Sequence, residues 1–223
     1  MNYGMQIGYK FNQDGTPRKY PGNTIIADVK SSNPAYPIIE KLRKELSAGI
    51  LGKTFIFLPE DSYHVTIIRG MNDYVRESDY WPSALSLDVP MTEVDDYFVE
   101  NAGKVDTPDQ IHMRFEQIKI DDYDVRICLT PWDEEQDRIL REYRDEVAEK
   151  IGLRLPGHDS YTYHITLAYV LCIPEGKCRR EMEKKVEEIN VFLANQDGFW
   201  LSSPQIRFYN DMLNFYTQRI PRT

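Results

Sequence analysis

The chain has 223 residues, of which 41% are hydrophobic and 28% are charged, and its formal net charge is −9. This composition is typical of a globular protein that folds as one large domain or as two small intertwined lobes. Proteins that bind long nucleic acids usually present a basic surface, and the densest basic stretch, Lys177 to Lys185, is interleaved with glutamates. The charge therefore excludes long duplexes as expected partners and favours a small substrate or an RNA end.

Targeting and redox signals point to the cytoplasm. No apolar run approaches the ~20 residues of a membrane helix, and the first residues lack the basic and apolar regions of a secretory signal. The three cysteines, Cys128, Cys172 and Cys178, are odd in number and lack the spacing of a metal site. We therefore predict a cytoplasmic protein without membrane contact, metal or other cofactor.

The first part of the chain predicts a surface loop followed by strands and one helix. Residues 14–23 are rich in Gly, Pro, Asp and Asn, which favour turns. Ile38, Leu42 and Leu46 recur at helical spacing, and Gly52 is placed to end that helix. The predicted elements are a strand over 24–29, a helix from 34 to 52, a strand over 54–58 and a strand over 63–68.

The rest of the chain predicts an irregular segment followed by strands and helices. Residues 70–110 are interrupted by Trp81-Pro82 and Val89-Pro90, and we predict that they form an insertion or a lid. Asp133 can cap a helix that ends before Gly152. The predicted elements are a helix over 92–102, strands over 111–120 and 125–129, a helix over 133–151, a strand over 161–171, a helix over 175–195, and strands over 205–209 and 212–216.

Two of the predicted strands share the pattern Tyr-His-aliphatic-Thr-aliphatic. One runs from Tyr63 to Ile67 and the other from Tyr163 to Leu167, and they contain two of the four histidines in the chain. Because side chains alternate along a strand, each histidine shares a face with the threonine two residues later, while the tyrosine and the aliphatic residues face the other way. We expect the aliphatic face to pack beneath a helix and the imidazole and hydroxyl to face a groove.

If these two strands face each other, the groove contains two imidazoles and two hydroxyls. Cleavage of a phosphodiester requires these groups, because one imidazole can remove a proton from the attacking oxygen while the other protonates the leaving oxygen. Histidine suits both roles because its pKa lies near neutrality. The threonine hydroxyls can donate hydrogen bonds to the non-bridging phosphate oxygens. Such a mechanism requires no metal.

The paired His-x-Thr strands resemble those of the 2H phosphoesterase superfamily. This superfamily includes RNA 2′,3′-cyclic phosphodiesterases, RNA 2′–5′ ligase-like proteins and ADP-ribose cyclic-phosphate phosphodiesterases. Residues 17–24 also resemble the opening of a functionally uncharacterised bacterial branch of it. For residues 1–223 the resemblance implies a single α+β domain. Its two pseudo-symmetric lobes of antiparallel sheet have helices outside and a catalytic groove between them.

The resemblance also implies a site and an activity. His64 and His164 would form the acid–base pair, and Thr66 and Thr166 would bind phosphate. The implied reaction is the opening of a 2′,3′-cyclic phosphate or a related small cyclic phosphodiester, with a small cyclic nucleotide or an RNA terminus as the partner. The two motifs lie 100 residues apart, farther than in the smaller members, so the substrate of the better-known branches is not carried over.

Two further residues are candidates for substrate binding. Arg126 lies on a predicted strand whose other face is apolar, so its guanidinium can face the groove, although a surface role is equally open. Asn23 opens the first strand, where a turn explains it as well as substrate contact does. His112 and His158 lack the motif, and we interpret them as surface or loop residues.

The sequence leaves two other functions open. The same groove could bind a nucleotide or a phosphate without turnover, as the long spacing and residues 70–110 would allow. Alternatively, the symmetrical strands are purely structural parts of an interaction domain, which predicts that His64 and His164 lie far apart. The sequence also does not decide which histidine is the acid, which sugar oxygen keeps the phosphate, or the oligomeric state.

Overall fold

The computed structural model describes residues 2–219, within which the chain forms eight β-strands and four α-helices. The strands are β1 (Gly22–Asp28), β2 (Phe55–Phe57), β3 (His64–Asn72), β4 (Gln110–Ile120), β5 (Asp124–Pro131), β6 (Tyr163–Val170), β7 (Phe199–Ser202) and β8 (Gln205–Tyr209). The helices are α1 (Tyr36–Ser47), α2 (Met91–Ala102), α3 (Glu134–Ile151) and α4 (Gly176–Leu193). Across residues 2–219, no helix has the length and apolar character needed to cross a membrane.

The eight described strands form one antiparallel sheet. Neighbouring strands follow the order β7-β4-β5-β6-β3-β1-β8, and β2 pairs with β6. The sheet has two halves because, among the described residues, β3 and β6 pair at a single position, where Val65 opposes Ile165. One half contains β1, β3 and β8, and the other contains β2, β4, β5, β6 and β7. The predicted α+β fold with two antiparallel lobes is confirmed.

The four helices pack against one face of this sheet. Val65, Ile165 and Ile127 are fully buried at its centre, in the same core as the helices. The helices contribute Ile39, Leu42 and Leu46 from α1, Val94 and Phe98 from α2, Leu140 and Val147 from α3, and Ile189 and Leu193 from α4. The predicted alternation of the His-x-Thr strands is confirmed, because their aliphatic residues lie in this core and leave the histidines on the opposite face.

Helix α3 begins and ends where its local signals predict. The Asp133 side chain accepts a hydrogen bond from the backbone amide of Gln136 at 2.9 Å and so caps the first turn. Gly152 ends the helix with φ 64°, a left-handed conformation that glycine adopts without strain. The apolar stripe between these ends places α3 on the sheet, close to the junction of its two halves.

Residues 70–110 form part of the main body of the fold. They contain α2, and the side chains of Trp81 and Phe98 are buried in the core with those of the sheet. The segment looks irregular in sequence because proline residues separate its short elements, but its apolar residues are packed like those of the other helices.

Two predictions near the C-terminus need correction. Residues 212–216 do not form a strand, because the Asp211 side chain accepts a hydrogen bond from the Leu213 amide at 2.8 Å and turns the chain. A single bridge between Phe208 and Tyr216 takes the place of the expected pairing. Strand β7 is absent from the predicted elements, because a strand of four residues gives too short an alternating pattern.

Candidate active site

The four residues of the two His-x-Thr motifs lie together at the junction of the sheet halves. The central aliphatic residues of the two motifs are paired in an antiparallel register, so His64 faces Thr166 and Thr66 faces His164. All four side chains line one cavity of about 190 Å³. This placement contradicts the hypothesis of a purely structural symmetry, which predicts histidines far apart.

The cavity lies on the face of the sheet that the helices leave open. Its charged side chains are Lys10, Arg69 and Asp124. The other lining residues are Tyr20, Thr24, Leu58, Tyr161, Tyr169, Tyr209, Met212 and Phe215. None of these described lining residues belongs to the segment 70–110, although Tyr74 of that segment packs against the lining residue Tyr20 at 5.7 Å between ring centroids.

A hydrogen bond from Nδ1 to a backbone carbonyl two residues earlier orients each imidazole. Nδ1 of His64 lies 2.7 Å from the carbonyl oxygen of Ser62, and Nδ1 of His164 lies 3.1 Å from that of Thr162. A carbonyl oxygen only accepts, so Nδ1 is the donor in both rings. The lone pair of each neutral ring is therefore on Nε2, and the two motifs repeat the same arrangement.

Burial favours the neutral form of both imidazoles. It lowers the pKa of His64 to about 4, against the opposite effects of the Ser62 carbonyl and of Asp28. Burial also lowers the pKa of His164 below its ordinary 6.5, although the Asp124 carboxylate stabilises the charged form. An anion bound in the cavity would raise both pKa values, because it stabilises the imidazolium forms.

Two β-bulges turn further side chains towards the cavity. Directly after its motif, strand β3 has an extra residue, Ile67, in its pairing with β1, and β6 has an extra residue, Leu167, in its pairing with β5. Each extra residue follows a motif threonine. Beyond it, the side chains that would face the core face the cavity, and the reverse. Arg69 and Tyr169 therefore line the cavity instead of the core. Strict alternation predicts the opposite, which is why the sequence pattern does not identify them.

Lys10 reaches the cavity from the N-terminal loop. Its backbone amide donates to the carbonyl of Gln6 at 2.9 Å, and the adjacent Phe11 is fully buried, so the loop is fixed. The ammonium lies 5.4 Å from the ring centroid of Tyr20 and 5.1 Å from that of Tyr169. Burial lowers the pKa of Lys10 to about 8. A loop without periodicity gives no sequence signal for such a residue.

Side chains replace strand pairing where the sheet halves diverge beyond the motifs. The Tyr161 hydroxyl donates to the carbonyl of Thr66 at 3.1 Å. Arg144, from α3, donates to the carbonyls of Ile67 and, at 2.8 Å, His158. Its guanidinium lies 4.3 Å from the Tyr161 ring centroid. These bonds fix the backbone of β3 directly after its motif.

The structure does not bring Arg126 to the cavity. Its guanidinium forms ion pairs with Asp121, at 2.6 Å, and with Asp124, which does line the cavity. Arg126 lies opposite Thr166 on the neighbouring strand, so its predicted face is correct. The two carboxylates fix the position of the Arg126 guanidinium. Arg126 is therefore linked to the cavity through its ion pair with Asp124.

Asn23 is also away from the cavity, because it is fully buried between β1, β3 and α2. Its Nδ2 donates to Asp95 at 3.0 Å, and its Oδ1 accepts from the amide of Met71 at 3.0 Å. Gly70 makes room for this side chain, since a Cβ there would lie 2.1 Å from Oδ1. The next residue, Thr24, lines the cavity instead.

The two histidines without the motif lie outside the cavity. His112 is on β4 rather than in a loop, and its ring stacks between those of Trp132 and Trp200 at centroid distances of 4.5 and 4.3 Å. His158 lies in the loop before β6, where its Nε2 is 2.9 Å from a carboxylate oxygen of Asp145.

The C-terminal segment 211–216 covers one side of the cavity. Two backbone hydrogen bonds between Phe208 and Tyr216, at 2.9 and 2.7 Å, fold it back onto β8. The Phe215 ring then lies 4.4 Å from the His64 ring, measured between centroids. This contact keeps water from one side of the imidazole, so it contributes to the burial that lowers the pKa of His64.

Phe215→Ala should therefore raise the pKa of His64 from about 4 towards the ordinary value of 6.5. Water would reach the exposed side of the ring and stabilise the imidazolium form. NMR titration of the His64 ring measures this pKa directly and does not depend on turnover. Phe215→Leu, which keeps an apolar cover, should give a smaller rise. An unchanged pKa in a folded Phe215→Ala variant would show that other residues bury His64.

The cavity is equipped to move protons and to bind phosphate. It combines two neutral imidazoles, the hydroxyls of both motif threonines and two cationic side chains. Within residues 2–219, no group of three or more His, Cys, Asp or Glu residues is arranged to hold a metal ion. The three cysteines are free thiols.

The antiparallel sheet with a His-x-Thr strand on each side of its central junction defines a two-histidine phosphoesterase architecture. A family model named 2H-phosphodiest, described as a domain of unknown function (DUF1868), matches residues 10–123, and the chain belongs to this family. The matched region contains the first motif and ends before the second. No curated protein matches the chain.

A solved structure shares this fold. A conserved protein of unknown function, ATU0111 from Agrobacterium tumefaciens str. C58, has a TM-score of 0.88 and 24% sequence identity, over 99% of this chain and 94% of its own. At that identity the likeness shows the fold alone. TT0787 of Thermus thermophilus gives a TM-score of 0.43 with 14% identity, over 70% of this chain and 78% of its own. That score is too low to support any further comparison.

Proposed function

We propose that the protein is a metal-independent phosphodiesterase that opens a 2′,3′-cyclic phosphate or a related small cyclic phosphodiester. The observation that supports this most is the pairing of each motif histidine with the threonine of the other motif in one cavity. The cationic side chains of the cavity suit an anionic ester. Membership of a 2H-phosphodiesterase-type family is in keeping with phosphodiester chemistry.

Hydrolysis of the cyclic ester forms one bond and breaks another. Nε2 of His64 takes a proton from water as the water oxygen bonds to phosphorus. The bond from phosphorus to one ribose oxygen breaks, and protonated Nε2 of His164 gives its proton to that oxygen. The product has a phosphomonoester and a free ribose hydroxyl on neighbouring carbons. Proton exchange with solvent returns both histidines to their starting forms.

Their surroundings suggest which histidine takes each role. His64 stays neutral to about pH 4, so it is available as the base. His164 shares the cavity with the Asp124 carboxylate, which stabilises its protonated form, so it is the better acid. Because Nδ1 of each ring donates to a backbone carbonyl, Nε2 is the nitrogen that exchanges the proton.

The remaining groups would bind the substrate. The hydroxyls of Thr66 and Thr166, which line the cavity, would donate to the two non-bridging oxygens of the reacting phosphate. The rings of Tyr20, Tyr161 and Tyr169 supply flat apolar faces in the same cavity, which suit a sugar or a nucleobase.

We expect kcat/KM to follow a bell-shaped pH profile with its optimum on the acidic side of neutrality. The acidic limb should have a pKa near 4, because His64 must be neutral. The alkaline limb should lie below 6.5, because His164 must be protonated and burial lowers its pKa. Both limbs of the pH profile of kcat should lie at higher pH than those of kcat/KM, because the bound phosphate stabilises the imidazolium forms. Initial rates at constant ionic strength test this, and a kcat/KM that still rises above about pH 8 contradicts the two roles.

The direct test of the function is turnover in the presence of EDTA. The substrates are 2′,3′-cyclic nucleotides, an RNA with a 2′,3′-cyclic phosphate end, and ADP-ribose cyclic phosphate, with product monoester measured by chromatography. We expect turnover of at least one of them, unchanged by the chelator. Calorimetric binding without release of a monoester would instead support a non-catalytic nucleotide-binding module.

A further inference from the structure

The cavity contains more positive charge than one cyclic phosphodiester neutralises. Lys10 and Arg69 both line it, whereas a cyclic phosphodiester has a single negative charge. Asp124 is the one carboxylate among the described lining residues, and it shares Arg126 with Asp121. When His164 is protonated as the proposed acid, the cations Lys10, Arg69 and His164 still exceed this carboxylate by two charges. Within residues 2–219, neither Lys10 nor Arg69 has an ion-pair partner. The lining of this cavity therefore suits a ligand with more than one negative charge.

The two cations also occupy a position distinct from the motif threonines. Thr66 pairs with Ile26 and Arg69 with Thr24, two residues apart on β1, so the backbone of Arg69 lies about 7 Å farther along the sheet. Burial disfavours the charged form of Lys10, the Asp124 carboxylate favours it and the Arg69 guanidinium disfavours it, and the Lys10 ammonium lies beside the Tyr20 and Tyr169 rings. Like charges held together in a half-buried cavity repel each other, and an anion between them removes that repulsion.

We propose that Lys10 and Arg69 form a second anion subsite that binds a further phosphate group of the same substrate. This inference rests on the proposed function and narrows its substrate class to cyclic phosphate esters that bear a second phosphate. The threonine hydroxyls bind the reacting phosphate, and the two cations bind the other. A nucleotide with a 5′-phosphate and an RNA end with its last internucleotide phosphate both present this chemistry.

The test compares three substrates: a nucleoside 2′,3′-cyclic phosphate with a 5′-hydroxyl, the same compound with a 5′-phosphate, and a dinucleotide that ends in the cyclic phosphate. The variants are Lys10→Met and Arg69→Met. Lys53→Met is the matched control, because Lys53 is exposed and does not line the cavity. Circular dichroism checks that each variant is folded, and kcat/KM is measured at about 0.15 M ionic strength.

We expect a second phosphate to raise wild-type kcat/KM by about tenfold, because charge-assisted hydrogen bonds to phosphate are strong. Lys10→Met and Arg69→Met should each reduce the ratio of kcat/KM with the second phosphate to kcat/KM without it to near one. Lys53→Met should keep the wild-type ratio. The phosphorylated substrate with the larger kcat/KM identifies the source, a free nucleotide or an RNA end. A wild type with no preference overturns the proposal. The proposal is also overturned if Lys10→Met and Arg69→Met lose kcat/KM equally on all three substrates, because the two cations would then bind the reacting phosphate.

If none of the substrates is hydrolysed, the proposed function fails but the subsite can still be tested. Calorimetry then compares a nucleoside 2′-monophosphate with the 2′,5′-bisphosphate. Tighter binding of the bisphosphate by the wild type, lost in Lys10→Met and kept in Lys53→Met, supports the subsite. Equal affinities of the wild type for the two compounds overturn it.

Discussion

Replacing either motif histidine by alanine is expected to lower kcat for a cyclic phosphodiester by about 10³-fold, because general acid–base catalysis contributes roughly 10²–10⁴-fold. In the proposed mechanism, His64→Ala removes the group that accepts the proton of water, and His164→Ala removes the group that protonates the leaving oxygen. Because the two act in one step, the double variant should lose little more than either single variant. Single-turnover measurements in EDTA give these rates without interference from product release.

The pH dependence of the residual activity distinguishes the two roles. His64→Ala should lose the acidic limb of the profile, and His164→Ala should lose the alkaline limb. His158→Gln is the matched control, since its ring lies outside the cavity beside Asp145, and it should retain wild-type activity. A rate close to wild type in either alanine variant would remove that histidine from the mechanism. If His64→Ala instead loses the alkaline limb and His164→Ala loses the acidic limb, the assignment of acid and base is reversed.

Thr66→Val and Thr166→Val should each lower kcat by about 10²-fold, because a hydroxyl that donates to a phosphate oxygen stabilises the charge that develops there. Valine keeps the shape and the strand preference of threonine, so the change removes a donor and little else. Thr66→Ser and Thr166→Ser keep the donor and should recover most of the activity. Steady-state kinetics on one cyclic nucleotide separate the effect on kcat from that on KM.

Thr130→Val provides the matched control for these variants. Thr130 is also on a strand of the sheet, but its hydroxyl accepts a hydrogen bond from Arg114 at 3.0 Å and does not line the cavity. This variant should be as active as the wild type. If a rise in KM alone accounts for the loss in the motif variants, the hydroxyls bind the substrate without favouring its transition state.

The four motif residues of the candidate site are predictable from the sequence because their signals are local. Alternation along a strand is enough to place His64 and Thr66 on one face and the aliphatic residues on the other, and the same holds for the second motif. The cap at Asp133 and the glycine at 152 likewise define α3 without knowledge of its neighbours. Fold class follows from the order of these elements and from the resemblance of the motifs.

The rest of the cavity depends on features that no local pattern shows. A bulge at Ile67 turns Arg69 into the cavity, and that bulge is a property of two paired strands rather than of either alone. Lys10 reaches the site through loop packing between distant parts of the chain. The face of Arg126 is predictable from alternation, but its ion pairs with Asp121 and Asp124 depend on how the hairpin closes.

The antiparallel pairing of the two motifs at the junction of the sheet halves has an evolutionary consequence. Each imidazole lies opposite a hydroxyl that comes from the other half of the sheet, so neither half contains a complete site. A peptide with one Tyr-His-aliphatic-Thr strand would be inert as a monomer and could form the full set of four groups only by self-association. If the two halves arose by duplication, their ancestor was therefore functional as a symmetric homodimer, and fusion of its two copies allowed positions such as Arg69 and Tyr169 to diverge.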